Sequence, residues 1–159
     1  MHTSTASAIL SAVQNTLSTK GLSSVTVVGH SLGGALALLD GVFFSLQLPK
    51  DVTVKVISYG MPRVGNQAFA DFVDSQLSGR VTHVNNQEDP IPVVPGMFLG
   101  FHHPSGEIHI LDSGAWDACP GAFLQFLCLR VVRLIGPCLT LRKTAQVKTT
   151  LPTRALLVM

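Results

Sequence analysis

Residues 24–40, SVTVVGHSLGGALALLD, constrain what this chain can become more tightly than any other stretch. Ser24 to Gly29 carries consecutive β-branched residues, a run that suits the centre of a parallel sheet. From about 32 to 46 the apolar residues fit a helix. The turn between them, Gly29-His30-Ser31-Leu32-Gly33, has the pattern G-x-S-x-G. A strand that turns so sharply into a helix forces its tip residue into strained φ/ψ. The flanking Gly29 and Gly33 must then lack Cβ atoms so that strand and helix can approach, and Gly34 lets the helix lie close to the sheet. Ser31 is held above the strand ends, the edge at which such sheets bind ligands. The backbone N–H of Leu32, at the helix start, points where a developing oxyanion would be stabilised. A serine so placed is a candidate nucleophile; the bland alternative is an ordinary strand–helix turn that contains a serine.

The rest of the chain alternates helix and strand. A helix is predicted over about 4–19, where Ala8, Leu10, Val13 and Leu17 recur at helical spacing. DVTVKVISYG (51–60) alternates and is β-branched, which predicts a strand. GNQAFADFVDSQLSG (65–79) places Phe69, Phe72, Val73 and Leu77 at helical intervals and closes on Gly79. RVTHVNN (80–86) is a third strand. The proline-rich loop QEDPIPVVPG then leads to a predicted hairpin between MFLGFHH and GEIHIL. Strands alternating with helices imply an α/β fold, a three-layer core around a mostly parallel sheet with right-handed crossovers.

Composition separates the two ends. With 159 residues, 47% of them hydrophobic and 13% charged, the chain has the balance of one packed domain and not of a disordered segment. All nine Asp/Glu lie before residue 118, whereas residues 118–159 carry six Lys/Arg and no acid. Those six are scattered among Leu, Val and Ile instead of clustered, which argues against a nucleic-acid partner. The organisation expected is a domain over 1–118 and an atypical basic, apolar tail over 119–159. That tail reads either as one or two further packed helices or as a segment foreign to the fold, from a shifted frame or a retained intron. Cys119, Cys128 and Cys138 lack zinc-site spacing and a nearby histidine. The N-terminus lacks the basic start and apolar stretch of a signal peptide. Arg130 and Arg133 interrupt the apolar window 122–141, which makes it a poor membrane span.

Three blocks together carry a family resemblance: VTVVGHSLGGALALL, ISYGMPRVGNQAFADF and VTHVNNQEDPIPVVPGMFLGFHHPSGEIHI. In order and spacing they resemble the fungal-type (class 3) triacylglycerol lipases of the α/β-hydrolase fold, over about residues 5–120. The resemblance implies a partial α/β-hydrolase core with a C-terminal hairpin, and ester hydrolysis on acylglycerols at lipid–water interfaces without metal or organic cofactor. Family members are mostly secreted. Carried over residue by residue, it makes Ser31 the nucleophile and Asp89 the triad acid. The residues themselves favour Asp89: it follows Ser31 and a strand, on a loop at the sheet's carboxyl edge stiffened by Pro90 and Pro92. Glu88 would face away, Asp71 and Asp74 read as solvated helix surface, and Asp40 lies well down its helix.

The proton acceptor must be a histidine, since a serine hydroxyl needs a base with pKa near 7. In the family it lies well downstream of SGEIHILDSG, where this chain has its tail and no histidine. His102 and His103 follow Asp89 in chain order and are the candidates for a recruited base. His30 is expected to line the pocket wall, His83 to be packed in its strand, and His109 to share a solvated face with Glu107. The family's earlier strands, with the second oxyanion donor, and its helical lid are also expected to be missing. A lipid-binding remnant without turnover, or a truncated gene product, is therefore the alternative to a working hydrolase.

Overall fold

The structure, a computed structural model, describes residues 2–119 and 155–158. Its elements are α1 (His2–Lys20), β1 (Ser24–His30), α2 (Leu32–Gln47), β2 (Thr53–Tyr59), β3 (Gly65–Asn66), α3 (Gln67–Gln76), β4 (Val81–Asn86), β5 (Phe101–His102), β6 (Glu107–Ile110), β7 (Trp116–Ala118) and β8 (Ala155–Val158). Six strands form one sheet in the order β7-β6-β4-β2-β1-β8. Every pairing in it is parallel except β6 with β7. The expected α/β architecture, a mostly parallel sheet flanked by helices, is what the chain adopts.

The core forms where the strands' alternation meets the helices' apolar faces. Val25 and Val27 of β1, Val54 and Val56 of β2, Leu38 and Phe44 of α2, and Val13 and Leu17 of α1 pack into one buried cluster. The buried face of α2 is built largely of small residues, Gly34, Ala35, Ala37 and Gly41 among them. A Cβ on Gly41 would stand only 2.2 Å from Val56 Cγ2, so the helix lies directly on β2. α3 starts where Asn66 Oδ1 accepts from the Phe69 N–H at 3.0 Å, a side-chain cap on an otherwise unpartnered donor. Asp74 is not simply solvated: its carboxylate accepts from both the N–H (2.9 Å) and the hydroxyl (2.7 Å) of Ser105.

The C-terminal hairpin exists with a different partner from the one predicted. Met97–Leu99 is a 3-10 turn, and β5 pairs antiparallel with β3 in a separate two-stranded sheet. The hairpin is β6 with β7, in the register Ile108↔Ala118. Gly106 causes the change. It passes so close to β4 that a Cβ there would lie 2.1 Å from Val81 O, at a φ of +102°. That approach delivers 107–110 onto the open edge of β4 instead of back along 101–102.

Residues 120–154, most of the predicted tail and all of the window 122–141, lie outside the described residues. The part that is described, β8, is a strand and not a helix. It pairs with β1 in the register Val25↔Ala155 to Val28↔Val158, meeting backbone donors and acceptors that β1 would otherwise leave unpaired. Among the described residues no helix is long and apolar enough to cross a membrane.

Candidate active site

Ser31 stands at the tip of the β1–α2 turn with φ 54° and ψ −125°. Gly29 makes the turn possible: a Cβ there would fall 2.1 Å from Gly33 O and 2.4 Å from Gly33 C. The turn is braced by Ser31 N–H on Tyr59 O (2.9 Å) and by Gly34 N–H on Ser31 O (2.9 Å). Ser31 occupies the N-cap of α2, where serine normally spends its hydroxyl on the helix, yet its side chain makes no capping bond. Leu32 opens the helix, so its N–H belongs to the first-turn donors that intrahelical bonding leaves over.

Among the described residues only Ser31 and Gln87 combine a side chain with positive φ. Gln87 (φ 46°) turns the chain out of β4 towards Asp89, so backbone strain sits beside both sequence-predicted residues. Asp89 is half-buried. Its Oδ1 accepts from the Ile91 N–H at 2.9 Å. Its Oδ2 lies over Gly60, the residue that follows β2: a Cβ on Gly60 would come within 2.8 Å of Asp89 Oδ2 and 3.9 Å of His30 Nε2. β2 stands between β1 and β4, so its end is where the serine turn and the aspartate loop converge. Gly60→Ala would combine this clash with a backbone φ of +55°. The expected cost is about 1–3 kcal/mol, read from denaturant unfolding, with a shift in the NMR resonances of the Asp89 carboxyl.

The histidines divide sharply. His30 is exposed and close to the Asp89 carboxylate's side of Gly60. His102 is half-buried on β5. His103, only 1% exposed, is committed to the interior: its Nε2 donates to Pro92 O at 2.9 Å. His83 donates likewise to Pro104 O at 3.0 Å, and the two rings stack with centroids 4.8 Å apart. Burial holds His83 well below the ordinary imidazole value, at about 4. Burial and the neighbouring His83 do the same to His103, also at about 4. Among the described residues no imidazole is hydrogen-bonded to Ser31 or Asp89. Glu107 and His109 are less solvated than predicted. Glu107 is buried and accepts from Asn85 Nδ2 at 2.9 Å, with His109 Nδ1 3.7 Å away.

A cavity of about 660 Å³ adjoins Asp89, lined by Asn85, His103, Glu107, His109 and Asp117 among others, and Ser31 is not part of its wall. Among the described residues no cluster of three or more His, Cys, Asp or Glu side chains is disposed to hold a metal ion. The sequence assigned no role to two site residues, Gly60 and Arg63, although both lie in the block ISYGMPRVGNQAFADF, because what each does depends on the loop that folds over it.

A strained serine above the carboxyl edge of a parallel sheet, followed in chain order by an aspartate beyond the end of the next strand but one, defines an α/β-hydrolase domain. Comparison with known proteins narrows the class. Residues 1–99 match the family model for lipase (class 3), and the chain belongs to that family. It is 41% identical over 104 residues to the secreted mono- and diacylglycerol lipase MDL2 of Malassezia globosa, covering 64% of this chain and 34% of that protein. Among solved structures it resembles lipase II from Rhizopus niveus, with a TM-score of 0.63 and 33% identity, over 69% of this chain and 42% of the other. It also resembles a triacylglycerol lipase whose catalytic centre is described as a serine protease triad, with a TM-score of 0.64, 31% identity, and 70% and 42% covered. The chain thus spans about a third of the length of the curated relatives it matches.

Proposed function

We propose that this chain carries the nucleophile and acid of a carboxylic-ester hydrolase of lipid metabolism, with acylglycerols or similar ester lipids as substrates. Ser31 attacks the ester carbonyl and forms an acyl-enzyme. The Leu32 N–H donates to the oxyanion, and Asp89 orients the imidazole that takes the serine proton. The chemistry draws on no metal or organic cofactor. The observation that carries this reading is the state of Ser31, strained at the tip of its turn with its hydroxyl withheld from helix capping. The substrate class is supported by the relatives, which are named as mono- and diacylglycerol lipases. Exposed Leu32, Tyr59, Ile91, Val93, Val94 and Phe98, at or beyond the carboxyl ends of β1, β2 and β4, support contact with a lipid–water interface. We take the hydrolase unit as residues 1–118, with β8 lending it an edge strand.

The imidazole is the part least provided for. His103 is occupied in the core, which leaves His102 as the candidate that follows Asp89. That occupation favours a second reading, lipid binding without turnover. Labelling the folded chain with a fluorophosphonate, with and without added imidazole, separates the two. The expected result is an adduct on Ser31 that forms roughly tenfold faster with imidazole, part of the usual contribution of a general base. The acceleration should vanish in Asp89→Asn and the adduct in Ser31→Ala. A folded chain that takes no label under either condition would remove the hydrolase reading and leave lipid binding.

A further inference from the structure

The block PRVGN contributes nothing to the chemistry above, yet it contains a buried arginine whose contacts are unusually concentrated. Arg63 Nη1 donates to Val93 O, and to Pro95 O at 2.9 Å. The Arg63 backbone N–H donates to Val94 O, also at 2.9 Å. His103 Nε2 completes the set on Pro92 O at 2.9 Å. Four consecutive carbonyls, 92 to 95, are thus each held by Arg63 or His103, immediately after the turn in which Asp89 Oδ1 accepts from Ile91 N–H.

We propose that Arg63 and His103 are positioning residues that clamp the 92–95 segment and thereby fix where Asp89 presents its carboxylate. This rests on the reading of Asp89 as the triad acid. A loop carrying Pro90, Pro92 and Pro95 lacks backbone donors at those positions, so it cannot anchor itself through a ladder and must be held through its acceptors. Arginine suits the task because its planar fork offers several donors in fixed directions. A carbonyl cannot donate, so His103 is held in the tautomer with its proton on Nε2. Both anchors are supported from behind. Burial works against the guanidinium's charge and the Glu107 carboxylate sustains it, while Asn85 Nδ2 holds Glu107 in turn. His83 stacks on His103 and is itself tied to Pro104 O. The buried polar residues of β4 and β6 therefore form a backing for the aspartate loop.

Two readouts on the full chain test the clamp. The first is hydrogen exchange of the Ile91 amide by NMR, which reports the Asp89 turn whether or not Ser31 reacts. The second is imidazole-dependent labelling of Ser31. Arg63→Met is expected to speed Ile91 exchange by roughly tenfold or more, the scale of losing hydrogen bonds to a charged donor, while Val27 and Leu38 stay protected. Imidazole-dependent labelling should fall by a similar factor. Arg63→Lys, which restores charge and a donor, should recover part of both. His103→Gln, which keeps a donor, should stay nearer to wild type than His103→Phe, which keeps the ring and loses it. Unchanged Ile91 exchange would overturn the proposal. So would protection lost equally in β1 and α2, since that would make these residues matter only for global stability. If Arg63→Met does not fold, Arg63→Lys and the His103 pair decide the matter. A wild-type chain that takes no label would remove the hydrolase reading, and the Ile91 exchange would still decide the clamp.

Discussion

Gly29→Ala is expected to unfold most of the population at neutral pH. The added methyl would sit 2.1 Å from Gly33 O, 2.4 Å from Gly33 C and 2.7 Å from Gly34 N. All three are backbone atoms of the first turn of α2, so no rotamer change relieves the overlap. The strand or the helix must move, and both belong to the buried cluster that includes Val25, Val27, Leu38 and Phe44. A cost above about 4 kcal/mol follows, comparable with the whole net stability of many domains of this size. Gly34→Ala is the control. Its Cβ would meet Ser58 Cβ at 3.1 Å and Met61 Cβ at 3.2 Å, contacts that small shifts relieve, at about 1–2 kcal/mol. Urea unfolding of the two variants measures the difference. A Gly29→Ala chain within about 1 kcal/mol of wild type would mean that the turn is looser than this geometry.

Acidification is expected to destabilise the fold steeply between pH 6.5 and 4. His83 and His103 are buried in the neutral state and protonate only at about 4 in the folded chain, against 6.5 for the free side chain. Between those values the unfolded chain binds the protons that the folded chain refuses. The stabilisation is therefore complete above pH 6.5 and is lost as pH falls towards 4. Each imidazole contributes on the order of 3 kcal/mol, and because the rings stack, the two titrate as a pair. Thermal unfolding from pH 7.5 to 4 should show the decline, and NMR should find both rings neutral in the folded chain until the pH approaches 4. A flat stability profile, or either ring protonating near 6.5 in the folded chain, would contradict their burial.

Much of this was legible in the residues. Ser31 could be placed because the β-branched run before it and the small-residue helix after it leave few ways to make the turn. The spans of the three helices and of β1, β2 and β4 followed from the periods of 3.6 and 2, and each of these lies within a few residues of its observed range. Pairing was not legible. Phe101 and His102 look like one arm of a hairpin with 107–110, and only the approach of Gly106 to Val81 O sends the second arm to β4. His102 and His103 are adjacent and equally plausible as bases on paper. Tertiary contacts separate them: one is half-buried on β5, and the other, just past the end of that strand, is locked onto Pro92 O. Glu107 looked solvated for the same reason, because its burial depends on Asn85 and on the loop behind Asp89.

The sequence by itself determined the strand–turn–helix with its serine, the alternation that yields a parallel sheet, and the kinship with class 3 lipases. These rest on local sterics and periodic burial, which neighbouring residues settle among themselves. The tertiary structure alone decided that the aspartate's second oxygen comes to rest over Gly60, that the arginine of PRVGN reaches across to carbonyls thirty and thirty-two residues away, and that one of two adjacent histidines anchors a loop. Such contacts join distant segments, and their partners are chosen by how the layers pack, which no single stretch of chain encodes.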